Sequence, residues 1–109
     1  MSEDQRTPDE GGGDTQVLTR PKMKRPPLYV VIIHNDDYST FEFVVTVLLA
    51  VFNKTPEEAL EFAQTVHKTG KGRAGVYPYD IAQTKLLRVQ QLAEIYEMPL
   101  RVTIEPEAL

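Results

Sequence analysis

Four β-branched residues in succession, Val30-Val31-Ile32-Ile33, sit at the centre of a seven-residue apolar run from Leu28 to His34. The run is fenced on both sides. Pro26-Pro27 cannot donate to a ladder, and Asn35-Asp36-Asp37 favour bonds from side chain to nearby backbone over continued pairing. A strand of this length that is apolar on both faces belongs at or near the centre of a sheet. With 109 residues in all, the chain has room for one small domain built around it.

The first 26 residues contribute little to such a domain. Met1, Val17, Leu18 and Met23 are their only strongly apolar side chains, and positions 11–13 are all glycine. A segment this polar cannot bury enough surface to offset its ordering entropy. Residues 1–26 are therefore expected to form a disordered N-terminal extension, and residues 27–109 the folded core. Charge is segregated along the extension: Glu3, Asp4, Asp9, Glu10 and Asp14 accompany Arg6, and then come Arg20, Lys22, Lys24 and Arg25. A solvated tail and a tail gripped by a partner both fit that pattern. Its charges cancel, which leaves the net charge of −4 on the core.

Downstream of the strand, Ser39-Thr40-Phe41-Glu42 has the spacing of a capping box and predicts a helix to about Asn53. Positions 41–52 are apolar at 10 of 12 places, too long a stretch for a strand despite four valines, and read as a buried helix. Thr55-Pro56-Glu57-Glu58 repeats the box with proline at the first helical position. This second helix lines up Ala59, Leu60, Ala63, Val66 and His67 and stops at Gly70. Residues 71–77 read as a short strand. Pro78 and Asp80 open a third helix with an apolar face of Ile81, Leu86, Val89, Leu92, Ala93 and Tyr96, which Pro99 closes. Leu100, Val102 and Ile104 alternate with Arg101, Thr103 and Glu105, a strand with one wet face. The order β-α-α-β-α-β implies an α+β fold, a small sandwich of a three-stranded antiparallel sheet with three helices packed on one face.

Composition excludes several classes of function. Lys and Arg number 12 against 16 Asp and Glu, the wrong balance for neutralising nucleic-acid phosphates. With no cysteine, thiolate metal sites, disulfides and Cys nucleophiles are all absent. The longest apolar run, residues 43–52, is broken by Thr46 and is far short of the roughly 20 residues that span a bilayer. The amino terminus lacks the basic start and apolar segment of a secretory leader. A cytoplasmic acidic domain is the expectation, with no membrane and no nucleic acid among its partners.

Polar residues where burial is expected carry the chemistry. His67 falls on the apolar stripe of the second helix, and Asn35-Asp36-Asp37 stands between the first strand and the first helix. A satisfied core histidine and a simple turn would account for both. If extended geometry persists to residue 37, Asn35 and Asp37 point to one side and Asp36 to the other. Converging with His67, an amide oxygen, a carboxylate and a neutral imidazole nitrogen would form a cluster of acceptors suited to an ammonium group. Phe41, Val44, Ala63 and Val66 would wall an apolar recess beside it. Such a pair of features describes a site for the free amino terminus of a chain that begins with a bulky residue. A metal site from His34, Asp36, Asp37 and His67 has the right composition but puts its ligands on opposite strand faces.

Several separated motifs agree in order and spacing with one family. Pro26-Pro27-x-Tyr29, the segment from His34 through Asn35-Asp36-Asp37-Tyr38-Ser39-x-Phe41-Glu42-Phe43-Val44, Val66-His67-x-x-Gly70-Lys71-Gly72, Gly75-Val76-Tyr77, Ala82-x-Thr84-Lys85 and Pro99-Leu100 resemble ClpS, the adaptor of bacterial Clp proteases. The resemblance covers residues 26–105. It implies the sandwich just described, shared with the C-terminal domain of the ribosomal stalk protein, and it implies substrate recognition rather than catalysis. ClpS proteins bind N-end-rule substrates, whose first residue is Leu, Phe, Tyr or Trp, and pass them to the ClpA unfoldase for degradation by ClpP.

Carried across by motif, Asn35, Asp37 and His67 match the ligands of the α-amino group, with Asp36 in the same triplet. Ser39, Phe41, Val44, Ala63, Val66 and Leu100 match the side-chain pocket. Asp80 and Lys85 match a surface that docks on the N-terminal domain of the unfoldase, and residues 1–26 match an extension engaged during hand-off. The chain departs from the family at Ser39, where Thr is usual, and at Phe41 and Ala63, where Met is common. The expectation is a monomeric adaptor without cofactor, metal or catalytic residue, in a bacterial cytoplasm. A stalk-like interaction module and a small metal-dependent hydrolase are the rival readings.

Overall fold

The computed structural model describes residues 26–107, and the expected extension, apart from Pro26, lies outside the described residues. Strand β1 (Leu28–His34) is followed by helices α1 (Phe41–Ala50) and α2 (Pro56–Thr69), strand β2 (Lys71–Pro78), helix α3 (Tyr79–Ile95) and strand β3 (Arg101–Pro106). The sheet order is β2-β1-β3, with both neighbours antiparallel to β1. The apolar run is the central strand, as its two-faced hydrophobicity requires. Tyr29 stands opposite Tyr77 and Pro106, and His34 opposite Lys71 and Arg101. The β1–β2 register slips between Val31 and Ile32, which leaves Ala74 as the extra residue of a bulge.

Val31 and Ile33 point into the core with Val44, Val47, Leu48 and Val51 of the α1 segment, Ala59, Ala63 and Val66 of α2, and Ala82, Val89 and Ala93 of α3. Val30 and Ile32 point to the opposite face, where Lys71, Arg73, Glu105 and Pro106 of the edge strands close around them. At Gly72 α2 presses directly on the sheet. A Cβ there would meet Phe62 Cζ at 2.8 Å and Val66 Cγ2 at 2.9 Å, so only glycine fits without a shift.

Local chemistry sets the element ends, in two places differently from the sequence pattern. Thr40, not Ser39, caps α1: its Oγ1 accepts from the Phe43 amide at 3.0 Å. The Ser39 amide is already committed to the Asp36 carboxylate at 2.6 Å, so the chain turns one residue later and Glu42 loses the position a capping box needs. At its other end α1 stops at Ala50 rather than near Asn53, whose φ of 55° lies in the left-handed region. Helix α2 follows its pattern fully. Thr55 Oγ1 accepts from the Glu58 amide while Glu58 Oε1 accepts from the Thr55 amide, and Pro56 sits in the first turn.

The buried faces are narrower than the periodicity implies. Leu60 and His67 flank the buried line Ala59-Ala63-Val66, and on α3 Ile81 and Tyr96 remain exposed beside Ala82, Val89 and Ala93. Small residues let these helices sit close, and the close approach pushes larger side chains to the rim.

Helix α2 ends at Gly70 with φ 98°, its amide bonded to the Val66 carbonyl. A residue with a Cβ pays about 1–2 kcal/mol in that conformation, and nothing lies within 4 Å of where the Cβ would be. Gly70→Ala should therefore lower unfolding free energy by about 1–2 kcal/mol through backbone strain alone. Urea denaturation checks it, and an unchanged midpoint would contradict the left-handed cap.

Candidate functional site

The bond that builds the site runs from the Asn35 amide to the Gly70 carbonyl, 2.9 Å. It fastens the residue after β1 to the residue after α2. As a result, Asn35-Asp36-Asp37 stands beside the last turn of α2, where His67 is exposed. Between these residues and the first turn of α1 opens a cleft of about 340 Å³. Its polar side is Asn35, Asp36, Asp37, Ser39 and His67, and its apolar side is Phe41, Val44, Ala63 and Val66.

Asp36 organises the polar side. Its Oδ1 accepts from the amides of Tyr38 (2.8 Å) and Ser39 (2.6 Å), closing an Asx turn. Burial alone would raise its pKa, but the Ser39 amide and the adjacent Ser39 hydroxyl, with the Tyr38 amide, outweigh it and hold the carboxyl below its ordinary 3.8. The carboxylate's second oxygen, Oδ2, and Ser39 Oγ are both buried without a well-aligned bond, although the hydroxyl stands close enough to the carboxylate to favour its charged form. These are the two buried side-chain polar atoms left unsatisfied among the described residues, and both residues line this cleft.

The structure brings together nine of the residues singled out from sequence, and it corrects one orientation. Asp36 does not turn away from Asn35 and Asp37, because β1 ends at His34 and the Asx turn folds all three onto one cleft. Leu100 is not among the lining residues; it is buried in the core immediately before β3. His34 lies outside the cleft, its Nε2 2.8 Å from Thr103 Oγ1. Among the described residues, no group of three or more His, Asp or Glu stands close enough to hold a metal ion. Sequence reasoning missed the Gly70 carbonyl. The glycine marks the end of α2, but its carbonyl's partner is set by the β1–β2 pairing that continues past His34 and Lys71.

A family model described as ATP-dependent Clp protease adaptor protein ClpS matches residues 24–103. The chain belongs to the ClpS family. It is 49% identical over 98 residues to the ATP-dependent Clp protease adapter protein ClpS of Myxococcus xanthus, covering 86% of this chain and 92% of that one. The ClpS of Clostridium acetobutylicum is 48% identical over 91 residues, covering 84% and 90%. Among solved structures, Agrobacterium tumefaciens ClpS2 bound to L-phenylalaninamide superposes with a TM-score of 0.73 at 40% identity, covering 76% of this chain and all of that one. This ClpS chain is therefore an adaptor by family, and its sandwich is the ClpS fold.

The other residues marked from sequence lie on α3. Asp80 is exposed in its first turn. Lys85 is half-buried, its Nζ donating to the Val51 carbonyl at 2.8 Å and lying 5.5 Å from the Tyr77 ring centre. The ammonium thus caps the C-terminal end of the α1 segment, where a cation is favoured.

The sign of the Asp36 shift fixes a pH prediction. A carboxyl depressed on folding adds stability above its unfolded value, and that stability is lost as pH falls through the lower folded value. Asp36→Asn should destabilise the protein clearly at neutral pH, with the deficit shrinking once the pH is well below 3.8. Urea unfolding of both proteins at the two pH values measures it, and a deficit independent of pH would contradict an ionised Asp36 holding the turn.

Proposed function

We propose that the cleft receives the first residue of a polypeptide with a free α-amino group, and that this ClpS is a non-enzymatic adaptor for N-end-rule substrates. The observation that carries the reading is one cleft with Asn35, Asp36, Asp37 and His67 on one side and an apolar recess on the other. An α-ammonium offers three N–H donors. Asn35 and Asp37 supply exposed oxygens, the Asp36 carboxylate adds negative charge beside them, and His67 supplies a ring nitrogen in its neutral form. The side chain of the first residue enters between Phe41, Val44, Ala63 and Val66, which favours bulky apolar groups: Leu, Phe, Tyr or Trp. The relative crystallised with L-phenylalaninamide holds a molecule with both features, a free α-amino group and a benzyl side chain.

Recognition needs no covalent step, cofactor or metal, and a monomer presents the whole cleft. Delivery goes to a ClpA-type unfoldase in the bacterial cytoplasm, with ClpP as the peptidase. Asp80 contributes to the docking surface from the start of α3. Lys85 contributes by holding α3 against the end of the α1 segment. Residues 1–26 serve as the extension that the unfoldase engages during hand-off.

Fluorescence anisotropy with a Phe-initiated peptide tests the recognition step. Acetylation of the peptide's amino group should abolish binding, and His67→Ala should weaken it by about 1–3 kcal/mol, the range for a hydrogen bond to a charged group. Equal binding of the free and acetylated peptides would exclude the ammonium site. The delivery step has a separate check. A chain beginning at Arg25 should bind the same peptide as tightly as the full chain yet fail to support its degradation by unfoldase and peptidase. Degradation at the full rate would remove the role given to the extension.

A further inference from the structure

We propose that the outer face of the sheet is a docking surface for the chain's own N-terminal segment, residues 1–25, with the acidic block of that segment lying on cations at the far end of β1. The face is the one turned away from the helices. Val31 and Ile33 point into the core, so Val30, Ile32 and His34 point out. Directly opposed residues of antiparallel strands share a face, which sets three rows across the sheet. His34 lies between Lys71 and Arg101, Ile32 between Arg73 and Thr103, and Val30 between Val76 and Glu105. A depression of about 290 Å³ runs over Val30 and Ile32, lined also by Lys71, Arg73, Glu105 and Pro106 and by no helical residue.

Charge on this face is polarised. In a chain of net charge −4, Lys71, Arg73 and Arg101 are all exposed at the end where β1 finishes. The ion pair among the described residues, Arg73 with Glu107 at 3.4 Å, engages one of these cations. Burial, then the fields of Arg101 and Lys71, hold the His34 pKa below its ordinary 6.5 against the opposing Glu105, as expected of charges that face one another across the strands. The end where β1 begins is acidic. Glu105 sits beside Val30, and the Glu107 amide donates to the Leu28 carbonyl at 2.9 Å. The segment that enters there has the matching order: Arg20, Lys22, Lys24 and Arg25 come just before Pro26, and Asp9, Glu10 and Asp14 lie farther out. Folded back from Pro26, it sets its basic block beside Glu105 and Glu107 and its acidic block beside Lys71, Arg73 and Arg101. The apolar Val17 and Leu18, between the two blocks, fall over the depression. Length suffices. The seven residues of β1 span about 20 Å, and the twelve from Asp14 up to Pro26 reach up to about 40 Å. Each exposed ion pair is weak, but so short a tether holds the partners at an effective concentration on the order of millimolar.

The experiment uses the full chain and no peptide, so its outcome is independent of how the cleft is read. Because the chain has no cysteine, Gly12→Cys gives a single attachment point for a nitroxide spin label within the acidic block. Amide NMR spectra are compared with the label oxidised and reduced. The amides of Lys71, Arg73, Arg101 and Thr103 should lose intensity, while those of Leu87 and Ile95, exposed on α3, keep theirs. The loss should disappear at about 1 M salt, where the screening length falls to about 3 Å. It should also disappear when Lys71→Glu and Arg101→Glu are combined, and the dispersion of that variant's spectrum reports its folding; should it not fold, the salt series decides. Spin-labelled chain mixed with isotope-enriched, unlabelled chain should produce no loss. A loss in that mixture makes the occupant a second copy and overturns the proposal. So does a loss confined to the cleft at residues 35–39 and 67, a loss spread evenly over every face, or a loss on the outer face that survives high salt.

Discussion

The antiparallel ladder of β1 with β2, continued one step beyond His34 and Lys71 by a bond from the Asn35 amide to the Gly70 carbonyl, decides where this fold's site lies. Strand β1 and helix α2 are separated in sequence by all of α1, and nothing in their propensities requires their ends to meet. The ladder does so with groups that every residue carries, because β2 begins directly after Gly70 and pairs Lys71 with His34. Once it forms, the three polar residues after β1 and the exposed imidazole on the last turn of α2 share a cleft. The bond thus joins a capping device, whose role in isolation is to end a helix, to the placement of a binding surface.

The polar side of the cleft is held in a costly state. Asp36 spends one carboxylate oxygen on two amides, while the other and the nearby Ser39 hydroxyl are buried without a well-aligned bond. A fold selected for stability alone would satisfy these atoms or replace them with apolar groups. The remaining core offsets the deficit. Ile33, Leu48, Val31, Val47, Val51, Val66 and Val89 are each under 2% exposed, and full burial of such side chains contributes about 1.5–3 kcal/mol apiece. A densely packed sandwich can therefore carry an imperfectly satisfied polar turn at its surface.

How much of this was legible in the sequence depended on whether the signal was local. Thr55-Pro56-Glu57-Glu58 and Gly70 specify both ends of α2 through bonds made within a few residues, and both ends fell where the pattern put them. The apolar run became the central strand because two-sided hydrophobicity leaves no other place for it. At the start of α1 the local signal was ambiguous: Ser39 and Thr40 can each cap, and the choice went to Thr40 because Asp36 had already taken the Ser39 amide. That same turn hid the direction of the Asp36 side chain, since period-two reasoning holds only while a strand continues. Leu100 and Lys85 were illegible for a different reason. One packs into the core and the other caps the end of the α1 segment, so what each touches is set by tertiary contacts between elements far apart in the chain.

The field of the cleft follows from the same arrangement. His67 stands in the last turn of α2, where unsatisfied carbonyls give a helix its negative end. Asp36 and Asp37 add formal negative charge on the facing loop, and the core as a whole carries the chain's net charge of −4. Each of these attracts a cation, and their sum raises the rate at which an ammonium group finds the cleft more than it raises discrimination among ammonium groups. Lysine side chains and amino termini feel the same pull in bulk solvent. Discrimination has to come from the recess, because only a chain's first residue presents an ammonium and a bulky apolar side chain on adjacent atoms of one short frame. The two halves of the cleft divide the work accordingly. On the proposed reading, charge gathers candidates, and shape beside Phe41, Val44, Ala63 and Val66 rejects those whose ammonium lies at the end of a flexible stem.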